Sequence, residues 1–556
     1  MLKLTKKESI IGLSLLLLFA TGNVWAQFPG FGGGGMPPFG GGFGYFGRFH
    51  SFGPDVSPNN QNNQSFGFGM ENEQGNSVEF TSSNLPIIII DTDGGRINAD
   101  KKITAKMQII DNGNNKRNNI TDSPNNYNGL IEIKLRGNSS LSFEQKRYTI
   151  ETVGSDGKKF DTPLLGMPAD NDWVLLAPYN DISMMRDVFA FDLWNKMGYW
   201  APRTRYAELV VDGDYRGVYI LTEKIKRSKD RLDIANLKEV DNEGLELTGG
   251  YIMRIDAYDA DDLTFTSKVP GITSMPSMGG GGFMSFGGGM NMMMGGHGMN
   301  SVVWSYYSPK KSKITTEQAN YIHNYIDETE LAIQGDNFKD PENGYAKYIK
   351  TSSFVDYFIH TELSLNADGF KRSAYFYKTK QNEDGSGGKL HAGPVWDYNL
   401  AYGNCNFCNA DQIDAWVHEG GETNPTPAMW KRLTEDPAFM DRVKKRWKEL
   451  RKDILSIERI NSFIDSNAKL LAEAQERQYE KYDDLLVPKN SNNQHQNGMM
   501  GGFGGMMGGP GAAMMGMGGN SISWFAAYRV SSYEEEIETL KKWFAARIEF
   551  LDSQWQ

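Results

Sequence analysis

Two cysteines in 556 residues leave this chain almost without sulfur cross-linking chemistry. Both lie in Cys405-Asn-Phe-Cys408, and one Cys-x-x-Cys supplies only two of the four ligands a structural zinc needs. A thioredoxin-like context for a redox pair is also missing. Basic charge is in deficit too. The formal net charge is -11, which argues against nucleic acid, whose recognition needs a basic surface. Beyond the N-terminus no run is long and apolar enough to cross a membrane, so no transmembrane anchor is expected.

The N-terminus itself reads as a secretory leader. Lys3, Lys6 and Lys7 precede the apolar run Ile10 to Ala20, and Val24-Trp25-Ala26 offers a small-residue cleavage site. Removal of residues 1–26 takes away these three lysines and Glu8, making the mature chain two charges more negative. The residue after the cleavage site is Gln27 and not a cysteine, so a lipid anchor is not indicated. The expected product is secreted, and in that compartment the Cys405/Cys408 pair is expected to close as a local disulfide clip.

Three tracts share an unusual composition. Residues 28–52 are rich in Gly and Phe, and residues 273–300 and 498–519 are rich in Gly and Met. Such tracts bury too little apolar surface to offset backbone entropy and are expected to be disordered. The expected organisation is a tail over 27–84, a β-rich N-lobe over 85–223, a C-lobe over 224–415 and a C-terminal helical region over 416–556. The two Met-rich tracts are insertions in that frame. Plain linkers are the simplest reading of the tracts. Adhesive self-association is one alternative, and Cu(I) binding through Met290, Met292, Met293, Met294 and Met299 around His297 is another.

The fold class expected from the order of elements is α+β in two lobes. Pro86–Asp91, Ile103–Ile110, Gly129–Leu135 and Arg147–Glu151 read as strands. A helix capped by Asp181 runs from about Ile182 to Met197. Arg205–Val211 and Arg216–Glu223 form a hairpin about Asp212-Gly213-Asp214, and residues 249–256 form a further strand. From Thr316–Gln334 onward the pattern is mostly helical, through 353–365, 430–454, 456–485 and 532–552.

Chemistry concentrates at two acidic loops. Asn366-Ala367-Asp368 follows the helix 353–365, and Gly393-Pro-Val-Trp-Asp397-Tyr-Asn399 follows a hairpin of strands 373–378 and 389–395. Helix, acidic loop, hairpin and acidic loop is the layout with which protein kinases surround one γ-phosphate with a base and a metal-holding aspartate. Two unrelated turn-capping aspartates would look the same. In the kinase layout Asp368 takes a proton from an acceptor hydroxyl. Asp397 holds Mg²⁺, with Asn399 adding an amide oxygen, and Lys371 and Arg372 lie near enough in sequence to stabilise transferred charge. His360 reads as a packing or surface residue.

The missing half of such a site lies upstream. Arg136-Gly137-Asn138-Ser139-Ser140 forms a turn between strands, where Gly137 permits close approach and the hydroxyls and N–H groups can cradle phosphate. It is not a Gly-x-Gly-x-x-Gly loop. Lys146, at the start of the next strand, is expected to face the phosphates, with Arg147 pointing to the opposite face. Glu223, ending the hairpin strand at a hinge-like position, pairs with a lysine, binds ribose or is a surface charge.

These pieces together resemble the CotH kinase family, named from spore-coat protein H. The resemblance rests on Arg136-Gly-Asn-Ser-Ser140 with Lys146 and Tyr148, Trp173-Val-Leu-Leu-Ala177 with Asp181, Ser183 and Arg186, and Met197-Gly198 with Ala201-Pro-Arg203. It continues through 212–223, Gly249-Gly-Tyr-Ile252 with Asp256, Asn366-Ala-Asp368, Gly393-Pro-Val-Trp-Asp397, Trp430-Lys-Arg-Leu433 and Arg446-Trp447 with Leu450-Arg451. It implies a divergent protein-kinase-like fold with additional C-terminal helices. It also implies ATP- and Mg²⁺- (or Mn²⁺-) dependent phosphorylation of Ser/Thr in exported proteins, with Asp368 catalytic and Asp397 metal-holding. Arg136, Gly137, Ser139, Ser140, Lys146 and Glu223 are the expected nucleotide-binding residues. Asn399 departs from the second acid common in the family, and a non-catalytic surface scaffold on the same fold is the alternative function.

Overall fold

Ile87-Ile-Ile-Ile-Asp91 is apolar on both faces, a pattern suited to a strand with cover on each side. In the computed structural model it pairs antiparallel with Ile103–Ile110 on one edge and parallel with Thr204–Val211 on the other. That parallel pair closes a barrel. The structure describes residues 75–113, 116–258, 262–273, 300–421, 425–486 and 530–556. The leader, most of the N-terminal tail and the two Gly/Met tracts, apart from their edges at 273 and 300, fall outside these residues.

The barrel has seven strands. Around the wall they run Thr204–Val211, Asp214–Glu223, Asp172–Leu176, Arg147–Val153, Tyr127–Arg136, Ile103–Ile110 and Ile87–Asp91. Its interior is filled by alternate residues of these strands, among them Ile88, Ile90, Met107, Ile131, Ile133, Ile150, Trp173, Leu175 and Leu221. Side chains of the opposite parity, such as Val174, Val218 and Ile220, join the larger core that faces the helices. Residues 75–84 run beside the barrel, where Val78 is buried and the Phe80 ring stacks on Tyr215 at 4.7 Å.

A second, five-stranded antiparallel sheet follows in the order Thr264–Thr266, Val303–Ser308, Tyr251–Ile255, Ala374–Lys378 and Leu390–Ala392. Helices Thr316–Gln334 and Thr351–Ser364 pack against it. Helix Thr316–Gln334 starts at a reciprocal capping box of Thr315 and Gln318. The mixed α+β class is as expected. Within the barrel and the five-stranded sheet, Asp172–Leu176, Thr264–Thr266 and Val303–Ser308 escaped the sequence reading, as did the short paired strands Ser82–Ser83 with Asn118–Asn119 and Thr162–Leu164 with Met167–Asp170. The sheet content after residue 250 makes this half less helical than its sequence pattern suggested.

Element ends differ for identifiable reasons. The helix expected from Ile182 begins at Arg186, because Met184 sits at φ +59°. The cap position falls to Met185 in place of the expected Asp181, which lies four residues before it and accepts from the Arg186 N–H at 2.9 Å. The helix expected over 430–454 splits into Ala428–Thr434 and Pro437–Arg451, with Asp436 capping the second and Pro437 at its first position. Likewise 456–485 divides into Ile457–Leu471 and Ala474–Lys481.

The last helices bind back onto the earlier chain. Helix Ala474–Lys481 lies on the barrel, where Arg477 forks onto the fully buried Glu208 at 2.8 and 2.6 Å. Helix Tyr533–Trp555 packs beside Ile457–Leu471 and reaches the helix Arg186–Lys196 through Glu536.

Candidate functional site

Helix Thr351–Ser364 is buried from Ser353 to Ser364. It ends where Leu365 enters the left-handed region at φ +45°, and the turn carries Asn366-Ala367-Asp368 out of the core. Phe370 anchors the far side of this turn by stacking on Trp430 at 4.4 Å. Gly369 is required between them, since a Cβ there would meet Thr361 Cγ2 at 2.4 Å. Asp368 is left partly exposed, and its carbonyl accepts from the Lys371 and Arg372 N–H groups at 3.2 and 2.8 Å.

The second loop leaves the sheet after Ala392, where Gly393 at φ +103° and Pro394 end the ladder. Asp397 sits at φ +61°, a conformation that costs a non-glycine residue energy and is held by its surroundings. Asn366 ties the loops together. Its amide donates to the Asp397 carbonyl at 3.4 Å, while its side-chain oxygen accepts from the Asp368 N–H at 3.2 Å. On the other side Asp187 accepts the Tyr398 N–H at 2.6 Å.

The barrel contributes the cations. Arg147 opens the strand after the Gly137 turn and pairs with Asp397 Oδ1 at 2.9 Å. Its Nε is buried without a partner among the described residues. Arg136, at the end of the preceding strand, lies over the Trp396 ring at 5.0 Å. Beside them Tyr307 meets Tyr375 edge-on at 5.1 Å, and the Tyr307 hydroxyl donates to the Ile225 carbonyl at 2.9 Å, just beyond the Glu223 strand.

Electrostatics mark the same spot. Burial pushes the Asp368 carboxyl above its ordinary value, with Asp397 and Asp256 adding to the rise and Arg372 and Lys371 opposing it. Burial likewise raises Asp256, against Arg254. Asp187 is pushed up to about 7, by burial first and then by the nearby Asp397. Asp368 and Asp256 on loops and Asp187 in the first turn of a helix thus all feel the charge of Asp397, with guanidinium groups around them.

The sequence-derived site residues divide accordingly. Asp368, Asp397 and Arg136 come together. Gly137 at φ +115° and the exposed Ser139 form the turn beyond Arg136, and Ser140 is buried beneath it, where a Cβ on Gly137 would strike its Oγ at 1.9 Å. Lys146 Nζ donates to the Leu141 and Phe143 carbonyls at 2.9 and 2.6 Å, so it braces this turn, and the residue that reaches Asp397 is Arg147. Glu223 is completely buried. It takes a two-pronged contact from Arg203 at 2.9 and 2.7 Å and lies 3.6 Å from Arg231, so it is neither a surface charge nor paired with a lysine. His360 is a packing residue whose Nε2 meets the Ala190 carbonyl. Burial lowers its pKa to about 4, which keeps it neutral.

Asp187 and Asp256 were not singled out for chemistry. An acid in the first turn of a helix looks like a dipole partner, and no sequence spacing ties it to Asp397. The disulfide clip expected between Cys405 and Cys408 is not formed. Cys405 is buried and Cys408 Sγ lies 3.2 Å from Lys371 Nζ.

Among the described residues no group of three or more His, Cys, Asp or Glu forms a metal cage. The donors nevertheless fit Mg²⁺, which takes one or two carboxylates and completes its shell with water and phosphate. The Asp397 side chain is about a third exposed. Asn399 gives its Nδ2 to Asn180 at 3.0 Å, which leaves the amide oxygen as its ligating atom. Within the described residues no helix is long and apolar enough to cross a membrane.

The profile of the family described as CotH kinase protein matches residues 133–551, a span that takes in every site residue above. No curated protein gives a significant match to the chain.

Proposed function

Because the chain belongs to the CotH kinase family, we propose that it is an exported phosphotransferase that moves the γ-phosphate of ATP to Ser or Thr hydroxyls of secreted or surface proteins. The observation that carries this reading is the convergence of Arg147, Asp397 and Asp368. A barrel cation with an unsatisfied buried N–H meets two acidic loops that Asn366 holds together. A buried donor left without a partner is costly, and a phosphate oxygen would satisfy it.

The residues divide the work as follows. Asp368 accepts the proton of the acceptor hydroxyl as its oxygen bonds to the γ-phosphorus and the bond to the β,γ-bridging oxygen breaks, releasing ADP. Its raised pKa makes it a better proton acceptor than an ordinary carboxylate. Arg147 and Arg136 offset charge on the phosphates, aided by the N–H groups of the turn 137–140. Asp397 and the Asn399 oxygen would hold Mg²⁺ or Mn²⁺, which when bound offsets the charge of the phosphate oxygens. Tyr307, half-buried beside the segment after Glu223, would give a nucleobase an aromatic face.

The competing reading is a scaffold that keeps the kinase-like fold without catalysis. It draws on Asn399, an amide held by Asn180 where a second acid would strengthen metal binding. The two readings part on one experiment: mature protein with γ-labelled ATP, Mg²⁺ or Mn²⁺, and casein or a Ser/Thr-rich peptide. Label transfer that disappears in Asp368→Asn and Asp397→Ala is expected. Wild type that shows neither transfer nor nucleotide-induced thermal stabilisation would leave the scaffold reading standing.

A further inference from the structure

Arg186 is fully enclosed, and its guanidinium divides between two tasks. Nε and one terminal nitrogen donate to the carbonyls of Ala401 and Tyr402 at 3.1 and 3.4 Å. The other terminal nitrogen meets Asp181 Oδ1 at 2.5 Å, Glu536 Oε1 at 2.7 Å and Ser183 Oγ at 3.1 Å. Its neighbour Asp187 holds the Tyr398 N–H at 2.6 Å. Consecutive residues at the start of one helix therefore grip both ends of the segment 398–402, immediately after Asp397.

A guanidinium is a planar fork, so fixing one prong fixes the plane of the others. Asp181 is local and also accepts the Arg186 N–H. Glu536 arrives from helix Tyr533–Trp555, 350 residues along the chain, and is itself 1% exposed. It sets the side of the fork opposite the Ala401 and Tyr402 carbonyls. We propose that Glu536 is a positioning residue for the Asp397 loop, acting through Arg186, so that the C-terminal helix sets the geometry of the metal-holding carboxylate. The inference rests on the role of Asp397 given above and extends it to a residue that touches neither metal nor nucleotide. Supporting residues of this kind typically change metal affinity by roughly 10–100-fold when lost.

The test uses full-length mature protein and two readouts. Hydrogen exchange over residues 397–404 reports loop order whether or not the protein transfers phosphate, and titration with Mn²⁺·ATP reports the metal-holding geometry. In Glu536→Ala, exchange over 397–404 is expected to accelerate and Mn²⁺·ATP affinity to fall roughly tenfold or more. Glu536→Gln, whose amide oxygen still accepts from Arg186, should recover much of both. Arg477→Ala removes another buried ion pair made by a C-terminal helix, one that lies on the barrel away from the loop. It should lower thermal stability while leaving exchange over 397–404 unchanged. Equal acceleration in Glu536→Ala and Arg477→Ala, or none in Glu536→Ala, overturns the proposal. If wild type fails to bind Mn²⁺·ATP but Glu536→Ala alone loosens the loop, the positioning stands and the nucleotide reading falls.

Discussion

The Arg147 guanidinium stands 2.9 Å from Asp397 Oδ1, joining the wall of the barrel to a loop 250 residues further along the chain. The Arg147 side chain is only 9% exposed, whereas that of Asp397 is 32% exposed, so the cation comes from the protein interior and the carboxylate faces outward. Replacing Arg147 by Met is expected to lower kcat/KM for label transfer by roughly 10²–10³-fold, the usual cost of losing one preorganised donor. Arg147→Lys should recover only part, because an ammonium cannot bond to the carboxylate and a phosphate in one plane. Steady-state kinetics in ATP decide it, and an unchanged rate in Arg147→Met would remove this residue from the mechanism.

Asp368 gives a prediction in two parts. Asp368→Asn should cut kcat by roughly 10²–10⁴-fold. It should also hold or raise the thermal midpoint, because burial penalises the charge it removes. The pH profile of the wild-type rate should rise through a pKa above the ordinary aspartate value, reflecting the same burial. A profile already flat above pH 4 would contradict the assigned base.

Glu330 offers a test of stability against pH away from the site. Its carboxylate accepts from Ser267 Oγ at 2.6 Å and Trp304 Nε1 at 3.1 Å, yet burial still raises its pKa from 4.5 to about 7. The folded protein therefore binds more protons here than the unfolded chain between these values, and stability falls as pH rises across that window. Glu330→Gln removes the titration. Its thermal midpoint relative to wild type should climb between pH 4.5 and 7, and parallel curves for the two proteins would refute the assignment.

Glu223 separates a structural role from a ribose-binding one. Removing its charge in Glu223→Gln leaves the enclosed Arg231 without one of its counter-charges and weakens the fork from Arg203. The expected cost is on the order of 3 kcal/mol, read by urea denaturation. KM for ATP should stay where it was. A raised KM with unchanged stability would restore the nucleotide contact.

Six of the seven barrel strands were legible because each carries its own signal, period-2 alternation or a short β-branched run bounded by turn residues. Asp172–Leu176 was missed as a strand because it is buried on both faces and shows no alternation. The acidic loops were visible as a pattern of helix, turn and hairpin. The choice between Lys146 and Arg147 was not, since alternation fixes only that neighbours oppose each other, and the strand's rotation is set by barrel packing. Glu223 was ambiguous for a related reason: its partners Arg203 and Arg231 are near in sequence, but only the fold buries Glu223 and Arg231 together and lays the half-exposed Arg203 across them. Asp187 carried no signal at all, because its partners Tyr398 and Asp397 lie more than two hundred residues away.

The parallel seam between Ile87–Asp91 and Thr204–Val211 governs when the barrel can form. The other pairings in the wall join residues at most 50 positions apart, the widest being Trp173 with Glu223, but this one sets Ile87 against Glu208. Loop-closure entropy over that separation must be met before the pairing contributes anything. A chain emerging N-terminus first therefore carries Ile87-Ile-Ile-Ile90 with one open edge until the strand at 204–211 has followed it. Four consecutive isoleucines on an unpaired edge are a template for association with other chains. The interval before the seam closes is the period in which this protein is most exposed to aggregation, and in which a holding chaperone would have most effect.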